Sequence, residues 1–201
     1  MNPEQKVVLN VGCGPKGRAH GFAGMADWRE VRMDIDPDVQ PDVLGTMTDM
    51  ATVETASIDA IVSSHNIEHL YPHEVPLALA EFVRVLKPDG MVLITCPDLQ
   101  SVCARVARGE LASPLYESPA GPIAAIDILY GLRPAMAAGN LYMAHRCGFT
   151  LELLANTLQA CGFPRSVGQA RPEHFDLWML ACKANLSDES LHHLARRHLP
   201  V

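Results

Sequence analysis

The chain has 201 residues, 48% of them hydrophobic, and a formal net charge of −7. That length suits one α/β domain with a sizeable core, and the acidity argues against a nucleic-acid partner, whose phosphates are bound by Lys and Arg. No apolar run approaches the roughly 18–20 residues of a membrane span, and the first residues lack the basic and apolar segments of an export signal, so a cytoplasmic location without membrane attachment is expected. Six cysteines, at 13, 96, 103, 147, 161 and 182, form no C-x-x-C pair and read as reduced, mostly buried thiols.

Val7-Val8-Leu9-Asn10-Val11 reads as a buried strand that runs straight into the glycine turn Gly12-Cys13-Gly14-Pro15-Lys16-Gly17. Residues 18–29 follow as a loop or short helix. Glu30-Val31-Arg32-Met33 is a second strand leading into Asp34-Ile35-Asp36-Pro37, and Asp34 stands 20 residues beyond Gly14. At that spacing a second parallel strand can offer a carboxylate to a ribose beside the first turn. Val43-Leu44 is a brief third strand and Ile58-Asp59-Ala60-Ile61-Val62-Ser63 a fourth, with Ser64-His65-Asn66 at its carboxyl end. Helical spacing of Val75, Leu79, Phe82, Val83 and Leu86 predicts a helix over 73–87, stopped by Pro88-Asp89-Gly90. Met91-Val92-Leu93-Ile94-Thr95-Cys96 is the strongest strand, and Asp98 can cap a helix through Val102 and Val106.

Prolines and glycines break the pattern over 111–148, a stretch too long for a simple connection. With 122–132 predicted helical, it reads as a helical, lid-like insert at about 97–148 within a single domain of residues 1–183. Thr150 caps a helix over 151–161, and 175–183 form a last strand paired with a short one near Ser166-Val167. Residues 184–201 read as a helical tail, solvated or facing a second copy in a homodimer. Strand and helix alternation implies an α/β, Rossmann-like, mostly parallel sheet with ligands at the carboxyl ends of its strands.

Taken together, Asn10-Val11-Gly12-Cys13-Gly14, Asp34-Ile35-Asp36, Asp49-Met50, the 57–64 strand followed by Glu68-His69-Leu70, and Leu86-Lys87-Pro88-Asp89-Gly90 resemble the class I S-adenosylmethionine-dependent methyltransferases. Within that superfamily the chain looks most like bacterial members with an LNxGCGP first motif. The resemblance runs from about Val7 to Lys183. It implies a seven-stranded sheet with helices on both faces and an antiparallel last strand, and S-adenosyl-L-methionine as cofactor. It also implies site roles. Gly12, Cys13 and Gly14 would pass the methionine and ribose part, Asp34 would accept both ribose hydroxyls, and Asp49 would accept from the adenine amino group. Ile35 and Met50 would sandwich adenine, and Ser64 with His65 would lie near the methionine end. Two departures stand out. Asn10 replaces the acidic residue usual in the first motif, and the chain enters strand one without the helix that often precedes it, so the insert is expected to supply cover.

Methyl transfer from a sulfonium needs mainly in-line placement of the nucleophile, with proton removal optional. His145, after the insert and before a helix, is the candidate base. His65-Asn66-Ile67-Glu68-His69 spells H-x-x-E-H, a zinc-peptidase pattern. That pattern needs both histidines on one helical face, whereas His65 ends a predicted strand. No metal is therefore expected, and Glu68-His69 read as anchors of the following helix. The expected reaction is methylation of an oxygen or nitrogen of a small-molecule or glycan-like acceptor. An NAD-dependent oxidoreductase and a noncatalytic cofactor-binding protein are the alternatives.

Overall fold

The computed structural model describes residues 5–16 and 28–200. Its elements in chain order are β1 (Lys6–Val11), β2 (Trp28–Asp34), β3 (Val43–Leu44), β4 (Ile58–Ser64), α1 (Val75–Val85), β5 (Leu86–Pro97) and α2 (Leu99–Val106). These are followed by β6 (Pro114–Ser118), β7 (Gly121–Ala124), α3 (Ala125–Tyr130), α4 (Arg133–Ala137), α5 (Leu151–Ala160), β8 (Arg165–Arg171), β9 (Asp176–Cys182) and α6 (Asp188–His198). Of the loop or short helix expected at 18–29, residues 18–27 lie outside the described residues, and the remainder already belongs to β2.

The main sheet has seven strands in the order β3-β2-β1-β4-β5-β9-β8. The first five run parallel, and β9 is antiparallel to both β5 and β8. Strand residues alternate between two cores. Leu9, Val11, Ile61, Val92, Ile94, Leu177 and Met179 face a large core closed by Leu79 and Phe82 of α1 and Leu154 and Leu158 of α5. Val8, Ala60, Val62, Leu93 and Leu180 face the other way. Because both faces are covered, the strands read as continuous apolar runs rather than alternating ones.

The second face is closed by α6. Leu191 is buried there, with Leu194 and Leu199 packed beside it. Ser187 caps the helix, acidic residues sit in its first turn, and Arg196, Arg197 and His198 in its last, the order that suits the helix dipole. The tail expected to be solvated or to face a second copy thus lays its apolar side on its own sheet.

Two further boundaries differ from expectation. The helix over 73–87 stops at Val85, because Leu86 to Gly90 enter β5: Pro88 lacks the N–H that a helix needs, and the Lys183 ammonium draws the carbonyls of Val83 and Leu86 outward. The insert is helical at α2, α3 and α4, but it also contains a two-stranded hairpin, so Pro122 lies in β7 rather than in a helix. Ser118 closes that hairpin by donating to the Gly121 carbonyl. Val102, Ile123, Ala125, Ile128 and Phe175 give the insert a small core of its own at the carboxyl edge of the sheet. The six cysteines are free thiols: 13, 96 and 182 buried, 147 and 161 half-buried, and 103 exposed.

Candidate active site

A cavity of about 870 Å³ opens along the carboxyl edge of the parallel strands. Its floor begins at the glycine turn. Gly12 and Gly14 both take positive φ, +66° and +59°, a conformation glycine adopts without steric cost. The N–H groups of Gly12 and Cys13 both donate to the Met33 carbonyl, at 2.9 and 3.1 Å, which ties the turn to the end of β2. Asp34 lies beside it. One carboxylate oxygen accepts from the Gly14 N–H at 2.8 Å and the other from the Asp36 N–H at 3.0 Å. An ionised carboxylate offers about four lone-pair sites, so Asp34 can hold the backbone and still accept from a diol in the cavity. Arg32, buried beneath, donates to the carbonyls of Gly14, Val39 and Gln40 and fastens the rim of this end.

Of the residues singled out in the sequence, Gly12, Gly14, Asp34, Ile35, Ser64, His65 and His145 line the cavity. Cys13, Asp49 and Met50 do not. Cys13 is buried in the core, where burial pushes its thiol up to about 11. Met50 is fully buried beneath α1, because Glu81 accepts from its N–H at 2.7 Å and Arg84 donates to its carbonyl at 2.8 Å. That clamp turns Asp49 outward, where it accepts from the Ala51 N–H. Gly45, Thr46 and Met47 take the cavity-facing place instead. Asn10 also faces away: it is buried and donates to Glu30 at 2.8 Å, a tie between β1 and β2.

At the far end, the Ser64 hydroxyl pairs with that of Thr95 at 2.9 Å, and the His65 N–H donates to the Thr95 carbonyl. His65 has φ +48°, so the chain turns sharply after β4 into the short helical turn Ile67–His69. The Glu68 carbonyl accepts from the N–H groups of Arg146 and Cys147, drawing the end of the insert onto this turn. His69 and His145 thereby meet edge to face, with ring centroids 4.9 Å apart. Glu68 does not anchor the following helix. Its carboxylate is 1% exposed and neither oxygen has a hydrogen-bond partner among the described residues.

Residues 9–94 match the family model of the methyltransferase domain. No curated protein matches the chain. The fold is similar to that of Burkholderia thailandensis 1,6-didemethyltoxoflavin-N1-methyltransferase, solved with 1,6-didemethyltoxoflavin and S-adenosylhomocysteine (20% identity, 89% of this chain, 71% of that one, TM-score 0.55). It is also similar to an S-adenosylmethionine-dependent methyltransferase from Thermotoga maritima described as a possible histamine N-methyltransferase (16% identity, 92% and 84%, TM-score 0.56) and to one from Archaeoglobus fulgidus (14% identity, 89% and 86%, TM-score 0.52). Over residues 9–94 the chain matches a methyltransferase domain, and its fold is shared with the S-adenosylmethionine-dependent methyltransferases just named. The sheet order agrees, since an antiparallel strand in the sixth place departs from the dinucleotide oxidoreductase order. That sets the sheet apart from the NAD-dependent alternative.

The donor set at the glycine-turn end of the cavity fits S-adenosyl-L-methionine. A carboxylate for a diol, a tight glycine turn, and the apolar walls Met33, Ile35, Val39 and Met47 for a flat ring lie at one end of the cavity. Electrostatics at the other end centre on Glu68. Burial alone would raise its carboxyl, but His65, His69 and His145 outweigh burial and hold it below the ordinary carboxylate range. His65 is the reverse case. Burial works against its charged form, yet Glu68, 3.6 Å away, leaves the imidazole above the ordinary histidine value. At that distance the pair attract by charge rather than through a hydrogen bond. For His145 burial prevails, so its pKa falls and the ring is neutral near pH 7. Its Nδ1 faces the Ile128 carbonyl at 2.7 Å. A carbonyl only accepts, so Nδ1 carries the proton and Nε2 keeps a free lone pair.

No helix among the described residues is long and apolar enough to cross a membrane. Sequence reading passed over Thr46, Met47, Tyr116 and Phe175, all of which line the cavity. Phe175 sits at φ +59° at the start of β9 and stacks on Tyr116 of the insert, with ring centroids 6.3 Å apart. The apolar pattern of β9 predicted the strand, but nothing in it marked the strained residue at its entrance.

Proposed function

We propose that this methyltransferase acts on an oxygen or nitrogen atom of a small-molecule or glycan-like acceptor, seated between the glycine turn and the insert. One observation carries the reading: a single cavity joins Gly12, Gly14 and Asp34 at one end to His65 and His145 at the other. The cofactor would lie over the glycine turn, with Asp34 on its ribose hydroxyls, Ile35 and Met47 against adenine, and Ser64 and His65 toward its methionine end. When bound it supplies a methyl group already activated on a sulfonium. What the chain must add is placement and, for a protonated nucleophile, a base.

The acceptor end is walled by Tyr116, Ile123, Ile128, Leu132, Tyr142 and Phe175, side chains from the insert and the start of β9. Such a wall suits a compact, mostly uncharged molecule better than a polyanion. The Burkholderia enzyme, an N1-methyltransferase solved with 1,6-didemethyltoxoflavin bound, supports the same class. His145 presents a neutral Nε2 at this wall, suited to taking up the acceptor's proton or otherwise drawing it away from the nucleophile.

Calorimetry with S-adenosylhomocysteine, followed by transfer from methyl-labelled cofactor across a panel of hydroxyl, amine and glycan acceptors, tests the reading. Saturable binding with label on a small acceptor is expected. Failure to bind S-adenosylhomocysteine, or label appearing only on nucleic acid or protein, overturns it.

A further inference from the structure

We propose that Glu68, His69 and His145 form a binding site for one first-row divalent cation, of which Zn²⁺ is the representative, at the acceptor end of the cavity. One ligand atom from each of the three lies within 4.8 Å of the other two. A tetrahedral ion with bonds near 2.1 Å spaces its ligands about 3.4 Å apart, so the ion would draw the three inward.

Two features beyond proximity point to a cation. The first is the state of the imidazoles. His69 Nδ1 faces the Ala144 carbonyl at 3.1 Å, as His145 Nδ1 faces that of Ile128 at 2.7 Å. Each ring therefore spends its N–H on a backbone carbonyl and keeps Nε2 as a lone pair, the arrangement that orients metal-ligating histidines. The second is Glu68. A carboxylate 1% exposed, with neither oxygen hydrogen-bonded among the described residues, has been taken out of water with no hydrogen bond to replace its hydration. A cation between it and the two imidazoles would supply ligand bonds in place of the missing hydrogen bonds.

The backbone holds the three groups together before any ion arrives. Arg146 and Cys147 donate to the Glu68 carbonyl, His145 donates from its N–H to Tyr130, and the Arg146 guanidinium donates to the His69 carbonyl at 2.9 Å. The H-x-x-E-H run does contribute, though not as a peptidase motif. His65 follows β4 at positive φ and stays outside the set, and its place is taken by His145, 76 residues beyond His69.

Two imidazoles and one carboxylate favour zinc, iron, cobalt or nickel over magnesium or calcium. Three protein ligands leave a coordination position open. All three residues line the cavity, so that position is accessible to an acceptor hydroxyl or amine, whose acidity the ion would raise. His145 would then act on the acceptor through the ion. The role for the acceptor rests on the methyl-transfer reading, whereas the binding of the ion does not.

The test uses full-length, tag-free protein stripped with EDTA, titrated with Zn²⁺ by calorimetry and with Co²⁺ by visible absorption. A single zinc per chain is expected, unaffected by excess Mg²⁺, with visible cobalt bands and at least about tenfold weaker zinc binding in Glu68→Gln and in His145→Ala. Zinc binding equal in the unmodified protein and both variants, or no saturable zinc binding together with no cobalt bands, overturns the proposal. The cobalt spectrum needs no variant and so survives a substitution that fails to fold. S-adenosylhomocysteine affinity is measured in parallel. Loss of that affinity with zinc still bound counts against the methyltransferase reading and leaves the metal site standing.

Discussion

The two ends of the cavity are built on different principles. At the cofactor end the chain works with its backbone: two glycines at positive φ, N–H groups fixed to Met33, and one carboxylate holding Gly14 and Asp36. Every part comes from β1, β2 and the loops that follow them. At the acceptor end the chain works with side chains, and its parts come from far apart, Glu68 and His69 from the turn after β4 and His145 from the far side of the insert. The cofactor end binds a common molecule and can be local. Only tertiary packing assembles the other end.

If the ends are as separable as this, substitutions should sort cleanly, apart from one that strikes both. Gly12→Ala has the largest expected effect, because a Cβ there would lie 2.4 Å from the Asn66 side chain at a φ unsuited to alanine. It should cost about 2–4 kcal/mol in urea denaturation and abolish S-adenosylhomocysteine binding. Next comes His145→Ala, which should lower kcat/KM by roughly 10²–10⁴-fold while calorimetry finds cofactor affinity unchanged. An equal loss of affinity would break the separation. Asp34→Ala should weaken S-adenosylhomocysteine binding roughly tenfold to a hundredfold, as expected for charge-assisted hydrogen bonds worth about 1.5–3 kcal/mol.

The pH profile sharpens the same division. Burial lowers the His145 pKa from 6.5, and an imidazole acting as base without a bound ion works in its neutral form, so in ion-free protein the acid limb of kcat/KM should fall below pH 6.5. Activity is lost as pH drops through that lowered value and stays flat above it, and cofactor affinity should not follow the limb. Smallest of all is Asp49→Ala, which should leave S-adenosylhomocysteine affinity within about twofold, as an exposed side chain outside the cavity would.

This division also decides how much the sequence could reveal. The strand, glycine turn and Asp34 were legible because their spacing and their chemistry are both local. The loop at 45–50 was not, since the residue that faces inward there is chosen by Glu81 and Arg84, more than 30 residues away. The insert hairpin was hidden for another reason. Pro114, Pro119 and Pro122 mark irregular backbone in a linear reading, yet two of them lie in paired strands. Glu68 was visible inside H-x-x-E-H, but the nearness of His145 to it was not. His145 lies beyond four helices, β5 and a hairpin, and no spacing rule reaches across them.

The placement of α6 has a consequence for how the chain matures. The face formed by Val8, Ala60, Val62 and Leu93 belongs to the first five strands, while among the described residues Leu191 and Leu194 of α6 and the adjoining Leu199 pack on it. Synthesis proceeds from the N-terminus, so these strands emerge well before the helix that packs on them. Closing that face joins the beginning of the chain to its last helix, a contact of high sequence separation and thus slow to form.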